Sequence, residues 1–203
     1  MNTFGVYYTN HCKVKHLLLY LSLIAVISCK TIEPNRSQKR VERRNERKAN
    51  KGILDKEMAN TMVALADSRL MGISCSKLAQ KKAGSEYYTT YASHAMENET
   101  FFLKEIKSIS KSNNISLPRK IGAENEIKYD ELKALSNKSF DKKYRKIEKK
   151  RLKEDRKLLN RLSASDDPII REFATKWSAP VNEWRSNTEG TFVIAQFHWS
   201  IRL

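Results

Sequence analysis

Apolar residues recur three and four positions apart through most of the chain, which is the spacing of one face of an α-helix. This spacing predicts helices over residues 54–83, 86–112, 124–136 and 140–163, and a last helix that follows Asp167-Pro168. Four of these segments are long and amphipathic, and strand-like alternation is absent until the end of the chain. The pattern therefore predicts an all-α fold, a four-helix bundle with one short helix in a connection.

The expected helix ends follow from local chemistry. An acidic residue at the cap and a proline in the first turn, as in Asp167-Pro168, are typical of a helix start. Ser85 and Ser139 are the candidate N-caps of the helices that follow them. Pro180 should kink or shorten the last helix, because proline cannot donate a backbone hydrogen bond.

The first 28 residues have the pattern of an export signal. Lys13 and Lys15 precede an apolar run over residues 17–27, which is too short as a helix to cross a bilayer. The run ends in Val26-Ile27-Ser28-Cys29, which resembles the lipobox of bacterial lipoproteins. The resemblance implies a lipid on Cys29 and a membrane anchor in the cell envelope, on the outer membrane or the periplasmic face of the inner membrane. An ordinary secretory signal followed by a chance cysteine is the alternative interpretation.

The chain is strongly basic, with 39 Lys and Arg against 23 Asp and Glu and a formal net charge of +16. Such a charge favours an anionic partner, namely nucleic acid, phospholipid headgroups or cell-wall polymer. Because export separates the protein from nucleic acid, we expect anionic lipid or cell-wall polymer, or an unidentified protein partner. Residues 138–157 carry eleven Lys and Arg against four acidic residues, which predicts either an anion-binding face or a solvated face.

Residues 29–53 are predicted to link the anchor to the folded domain. Residues 30–51 carry nine Lys and Arg against three Glu and almost no apolar side chains, so we expect them to be disordered. They would act as a solvated spacer, as a basic arm that binds anionic headgroups, or as both. The tail, residues 187–203, includes an aromatic and β-prone stretch to which no role is assigned.

The sequence contains few of the residues and motifs that catalytic sites need. Once Cys12 has left with the signal and Cys29 is lipidated, Cys75 remains alone and cannot form an intramolecular disulfide. The remaining histidines, His94 and His198, have no partner implied by spacing, and no Gly-x-Ser-x-Gly motif or glycine-rich phosphate loop is present. We therefore expect a protein that is not an enzyme and that needs no cofactor.

Several motifs resemble domain-of-unknown-function family 4142, a family of exported bacterial proteins. The resemblance covers about residues 55–186 and implies a ferritin-like helix bundle over residues 54–186. The residues that carry it, in chain order, are Leu78-Ala79-x-x-x-Ala83, Tyr91-Ala92 with Met96, Ile115-Ser116-Leu117-Pro118, Leu135-Ser136 with Ser139-Phe140-Asp141-x-x-Tyr144, and Asp166-Asp167-Pro168 with Phe173-Ala174.

The same resemblance bears on metal binding. Family members often carry histidines and a glutamate on facing helices, and the equivalent positions here hold Gly72, Glu99, Leu152 and Arg185. Glu99 alone could bind a metal, and one carboxylate is not a metal site. Because Glu99 lies on the inward stripe, it is either a remnant ligand or proton-handling acid, or the partner of an inward arginine such as Arg151 or Arg185.

These observations favour a non-catalytic lipoprotein that acts as a binding or interaction module at a membrane or cell-wall surface. The alternative is a metal-binding or redox-linked ferritin-like protein. The first predicts an unmetallated core and a functional basic surface, and the second predicts a bound metal near Glu99.

Overall fold

The computed structural model describes residues 36–188, and this part of the chain folds into six α-helices. The helices, in chain order, are α1 (Arg36–Ala49), α2 (Lys56–Lys82), α3 (Glu86–Ser112), α4 (Ala123–Lys133), α5 (Asn137–Leu162) and α6 (Pro168–Asn187). The predicted signal, Cys29 and the tail after residue 188 lie outside the described residues. Within the described range, no helix is long and apolar enough to cross a membrane.

The helices predicted from apolar spacing are confirmed, with ends that local hydrogen bonds determine. Asp167 caps α6 as predicted, and its Oδ1 accepts a hydrogen bond from the backbone N–H of Ile169 at 2.8 Å. Ser85 precedes α3, but its side chain makes no capping hydrogen bond. The prediction for Ser139 is wrong, because α5 begins two residues earlier and the Ser139 hydroxyl donates to the Ser136 carbonyl at 2.7 Å.

Pro180 lies inside α6, and the helix continues beyond it to Asn187. The expected shortening of the last helix is therefore wrong, and the alternative of a kink stays a prediction. Pro180 is buried beside Val181, so packing on this face stabilises the helix through the position where the backbone donor is missing.

The prediction that residues 30–51 are disordered is wrong for residues 36–49, which form α1. Only one apolar side chain of α1, Val41, is buried, so apolar spacing gave no signal. The helix is held instead by polar contacts with the loop after α3. Asn45 donates to the carbonyl of Ser116 at 2.9 Å and accepts from the N–H of Ser116 at 2.8 Å, while Lys48 donates to the carbonyl of Asn114. Paired polar groups of this kind can fix a helix that has little apolar surface.

The core lies around α2, which packs against α3, α4 and α5, and α6 packs mainly against α5. Two apolar clusters follow each other along these helices. The first contains Phe102 stacked on Trp177 with ring centroids 4.0 Å apart, and the second contains Phe140 stacked on Tyr144 at 5.8 Å. The stretch between the two clusters is not apolar, and this is where the buried charges lie.

Candidate functional site

A layer of buried charged side chains separates the two apolar clusters. We refer to Arg69, Glu99, Glu148, Arg151 and Asp155 as the charged layer. Arg69 comes from α2, Glu99 from α3 and the other three from α5, so the layer joins three helices. Buried charges are costly unless they are paired, and every member here has an opposite charge beside it.

Arg151 is the hub of the charged layer. Its Nη2 donates to Oε1 of Glu99 at 2.6 Å and to Oε2 of Glu148 at 2.5 Å, and its Nε donates to Oε1 of Glu148 at 3.1 Å. Its Nη1 reaches the carbonyl oxygen of Ser68 at 3.3 Å. This two-pronged pairing with Glu148 is the geometry for which a guanidinium group is suited and a lysine is not.

Arg69 completes the charged layer from α2. Its Nη2 donates to Oδ2 of Asp155, and its Nη1 lies 2.9 Å from Oε2 of Glu99. The angle at this second contact is not that of a hydrogen bond, so Oε2 of Glu99 is held by charge alone. The guanidinium of Arg69 also stacks 4.7 Å above the ring of Phe102, which joins the layer to the first apolar cluster.

Gly72 provides the room for this arrangement. A Cβ at this position would lie 2.8 Å from Cζ of Arg151 and 2.9 Å from Cδ of Glu99. Real Cβ atoms do not approach other atoms so closely, so any larger residue would displace the ion pair. The absence of a side chain at Gly72 is therefore a condition for the charged layer.

The charged layer has two positive and three negative groups, a formal charge of −1. Burial raises the pKa of the Glu99 carboxyl, the guanidinium groups of Arg151 and Arg69 oppose that rise, and Glu148 adds to it. For Arg151, burial opposes the positive charge, but Glu148, Glu99 and Asp155 outweigh it and the pKa is raised well above its ordinary value. Arg151 therefore stays charged, and Glu99 takes up a proton more readily than an exposed glutamate does.

Glu99→Gln should remove a pH-dependent part of the stability. Because the pKa of Glu99 is raised in the folded state, its contribution is fully present below the ordinary glutamate value of 4.5 and is lost as pH rises through the raised pKa. The unfolding free energy of the wild type minus that of Glu99→Gln should therefore fall as pH rises above 4.5, as measured by urea denaturation. Glu97→Gln, on the exposed face of the same helix, is the control. A difference that grows with pH would show that the charged form is the favoured one.

The residues around Glu99 do not fit a metal ion. Both carboxylate oxygens face arginine side chains, whose positive charges occupy the space that a cation would need. Among the residues with described side chains, no group of three His, Cys, Asp or Glu is arranged to hold a metal. The predicted ion pair of Glu99 with Arg151 is present, and its second partner is Arg69 and not Arg185.

The outer face of α5 is more basic than the sequence indicates. Of the four acidic residues in 138–157, Asp141, Glu148 and Asp155 are buried and only Glu154 is exposed. Of the eleven basic residues, Arg151 alone is buried. Ten basic groups against one acidic group leave the outer face at +9, where the sequence gives +7 for the segment. We refer to these exposed basic residues of 138–157 as the α5 basic face.

The α5 basic face is a continuous stripe and not a scatter of charges. Lys142, Lys149 and Lys153 recur seven and four positions apart, so they share one side of the helix. The basic residues run from Lys138 to Lys157, which at about 1.5 Å per residue is a length of about 28 Å. A straight stripe of this length and sign can contact many anionic groups of an extended surface at once.

The remaining predicted residues are not drawn together. His94 is exposed on α3, and Cys75 is buried and free in the second apolar cluster. Burial is the main cause that raises the pKa of the Cys75 thiol far above its ordinary value, so it stays protonated. Cys29 and His198 lie outside the described residues.

Comparison with known proteins found one matching family model. No curated protein matches the chain, and no solved structure matches it. The family model of a domain of unknown function, DUF4142, matches residues 44–188. This match begins inside α1 and covers the last six residues of that helix and the five helices that follow. The chain belongs to the DUF4142 family.

Proposed function

We propose that this protein is a non-catalytic lipoprotein of the bacterial cell envelope, anchored through Cys29, whose α5 basic face binds an anionic surface. The observation that carries the proposal is the sorting of charge on α5, where three of the four acidic side chains in 138–157 are buried and ten of the eleven basic ones are not. The proposal includes a ferritin-like arrangement of the four long helices, which their lengths and mutual packing support.

The position of α1 favours membrane headgroups over more distant wall polymer. Only six residues, 30–35, lie between Cys29 and the start of α1. Six residues span at most about 20 Å when fully extended. A lipid on Cys29 would therefore hold the helical domain close to the membrane, where the field of anionic headgroups acts over roughly 8–10 Å.

The test compares two sets of three lysines with the unlipidated mature chain, residues 30–203. Lys142, Lys149 and Lys153 are changed to Gln on α5, and Lys104, Lys107 and Lys111 are changed to Gln on α3 as the control. Both variants lose the same net charge from exposed positions. Binding is measured by co-sedimentation with vesicles of anionic phosphatidylglycerol or zwitterionic phosphatidylcholine.

We expect the α5 variant to bind anionic vesicles roughly 100-fold more weakly, because each basic residue near such a surface adds about 1 kcal/mol. The α3 variant should lose much less, and phosphatidylcholine should bind neither. Equal losses for the two variants would show that total charge acts and that the α5 basic face has no special role. Equal binding to the two vesicle types would contradict an anionic partner.

A further inference from the structure

A groove of about 800 Å³ lies beside the charged layer, between α1, α2, α4 and α5. Its volume is in the range of small-molecule sites in proteins, roughly 300–1,000 Å³. Arg151 and Asp155 of the charged layer line its base. The groove is therefore built against a fixed part of the core.

Part of the groove lining is apolar. Val63 and Ala64 of α2 and Ile147 and Leu158 of α5 line the groove, and none of the four is fully buried. The two helices run in opposite directions, because Ser76 contacts Tyr144 while Arg69 contacts Asp155. The stretch from Ile147 to Leu158 is about 16 Å long. Apolar side chains therefore line the groove at both ends of this stretch, with Arg151 and Asp155 between them.

The charges of the groove are mostly paired within the protein. Lys128 pairs with Glu124, and Lys143 pairs with Glu131. Asp67 accepts hydrogen bonds from the N–H of Gly122 and from Asn125 at 2.7 Å. Glu154 pairs with Lys157, while Arg151 and Asp155 belong to the charged layer.

Two lysines of the groove have no such partner within the described residues. Lys146 and Lys150 lie one helical turn apart on the α5 wall, on either side of Ile147 along the chain. They make no hydrogen bond or ion pair there, and the acidic lining residue that also lacks one within the described residues is Glu42 on the α1 wall. Lys128 is the main cause that lowers the pKa of the Glu124 carboxyl, and the more distant charge of Lys150 adds to it. Two cations beside apolar lining residues are complementary to a molecule with an anionic head and an apolar chain.

The anchored end of the domain lies at the same groove. Gln38, in the first turn of α1, lines the groove and approaches the loop at Gly122. It follows Cys29 by only nine residues. A protein anchored at Cys29 would therefore hold the groove near the source of such molecules, which is the membrane.

We propose that this groove binds a single-chain anionic amphiphile, with its head at Lys146 and Lys150 and its chain along Val63, Ala64 and Leu158. This goes beyond surface binding by the α5 basic face. Lys146 and Lys150 belong to that face and also line the groove, whereas Lys142, Lys149 and Lys153 do not line it. Changing Lys142, Lys149 and Lys153 should therefore weaken surface binding and leave the groove unchanged.

The probe is dodecanoate below its micelle concentration, titrated into residues 30–203 by calorimetry. These residues contain all six helices, which fall in one compact unit of the chain. Dodecyltrimethylammonium has the same chain with the opposite charge, and butyrate has the charge with little chain. We expect one dodecanoate to bind per protein, and neither comparison compound to bind measurably.

Changing Lys146 and Lys150 to Gln should weaken dodecanoate binding by about tenfold or more, because two charged contacts are lost. Ala64→Trp should weaken it too by filling the groove from an exposed position, so folding is not at risk. The variant Lys142, Lys149 and Lys153 to Gln should bind dodecanoate as the wild type does. Equal binding of the cationic compound, or no effect of the groove variants, would overturn the proposal. A lipidated protein that does not bind dodecanoate, when the unlipidated protein does, would also overturn the proposal. The protein's own acyl chain would then occupy the groove.

Discussion

Arg151→Met should lower the free energy of unfolding by about 3–5 kcal/mol, the usual cost of leaving a buried charge without its partner. The substitution removes the hub of the charged layer and leaves Glu99, Glu148 and Asp155 with Arg69 alone. A loss of this size is a large part of the roughly 5–15 kcal/mol that stabilises a typical domain. Urea denaturation followed by circular dichroism measures it.

Lys157→Met is the matched control for Arg151→Met. Lys157 lies on the same helix and pairs with Glu154, but both side chains are about half exposed. Exposed ion pairs contribute about 0–1 kcal/mol, so this variant should remain close to the wild type. If the two methionine variants lose similar free energy, the charged layer does not stabilise the fold in the way described.

A second substitution separates charge from packing. The double variant carries Glu148→Gln in addition to Arg151→Met. It therefore also lacks the Glu148 carboxylate, which accepts hydrogen bonds from two nitrogens of Arg151 in the wild type. The double variant should be more stable than Arg151→Met alone, because it restores the net charge of the layer to −1. A double variant that only adds the two separate losses would show that charge balance is not the cause.

Gly72→Ala should destabilise the protein by about 1–3 kcal/mol, although alanine normally stabilises a helix interior relative to glycine by about 1 kcal/mol. The opposite sign follows from the space at this position, where a Cβ would lie 2.8 Å from the Arg151 guanidinium. The guanidinium cannot move aside freely, because it is buried and bonded to Glu99 and Glu148. Thermal and urea unfolding both measure the change.

Making Gly72→Ala in a protein that already carries Arg151→Ala tests why Gly72→Ala is destabilising. With the guanidinium removed, the Cβ at position 72 has room, apart from its approach to Glu99. Gly72→Ala should then cost at least about 1 kcal/mol less than in the wild type. If the cost is the same in both backgrounds, the close approach to Arg151 is not what makes Gly72 necessary.

The helices could be predicted from the sequence because each long one buries a stripe of apolar residues. The first helix could not be predicted, because α1 buries a single apolar side chain and is fixed by Asn45 and Ser116, 71 positions apart. Contacts at such a separation leave no periodic trace. The same limit applies to the start of α5, since Ser136 and Ser139 offer similar capping chemistry and the helix begins after Ser136 without a side-chain capping hydrogen bond.

The charged layer could be predicted only in part. Apolar spacing placed Glu99 inward, and Arg151 was one of its expected partners. Arg69 was missed, although it follows Ala66 by three positions on the buried side of α2. Glu148 and Asp155 lie four and three positions from the buried Leu152, at helical spacing on the inward side of α5, and this spacing was the available signal. The pairing of charged residues across three helices depends on how the helices pack, and this packing cannot be read from a single sequence.

The α5 basic face could be predicted from the sequence, but with too small a charge. The excess of basic residues in 138–157 was evident from the sequence, but its strength was underestimated. The helical positions of Asp141, Glu148 and Asp155 place them on the buried side with Phe140 and Tyr144. Charge counted over a segment therefore differs from charge displayed to solvent, and only the second attracts a partner.

The most direct test of the proposed function combines the anchor with the α5 basic face. Full-length wild type, Cys29→Ala and the control Cys12→Ala are produced in a bacterial host, and membranes are washed at low and high salt. We predict that wild type and Cys12→Ala carry added acyl mass on a chain that begins at Cys29 and resist both washes. Cys29→Ala should lack the acyl mass, remain on membranes at low salt through its basic residues, and be released at high salt. A wild type that carries no acyl mass and is released by salt, or a Cys29→Ala protein that resists high salt as the wild type does, would contradict the account.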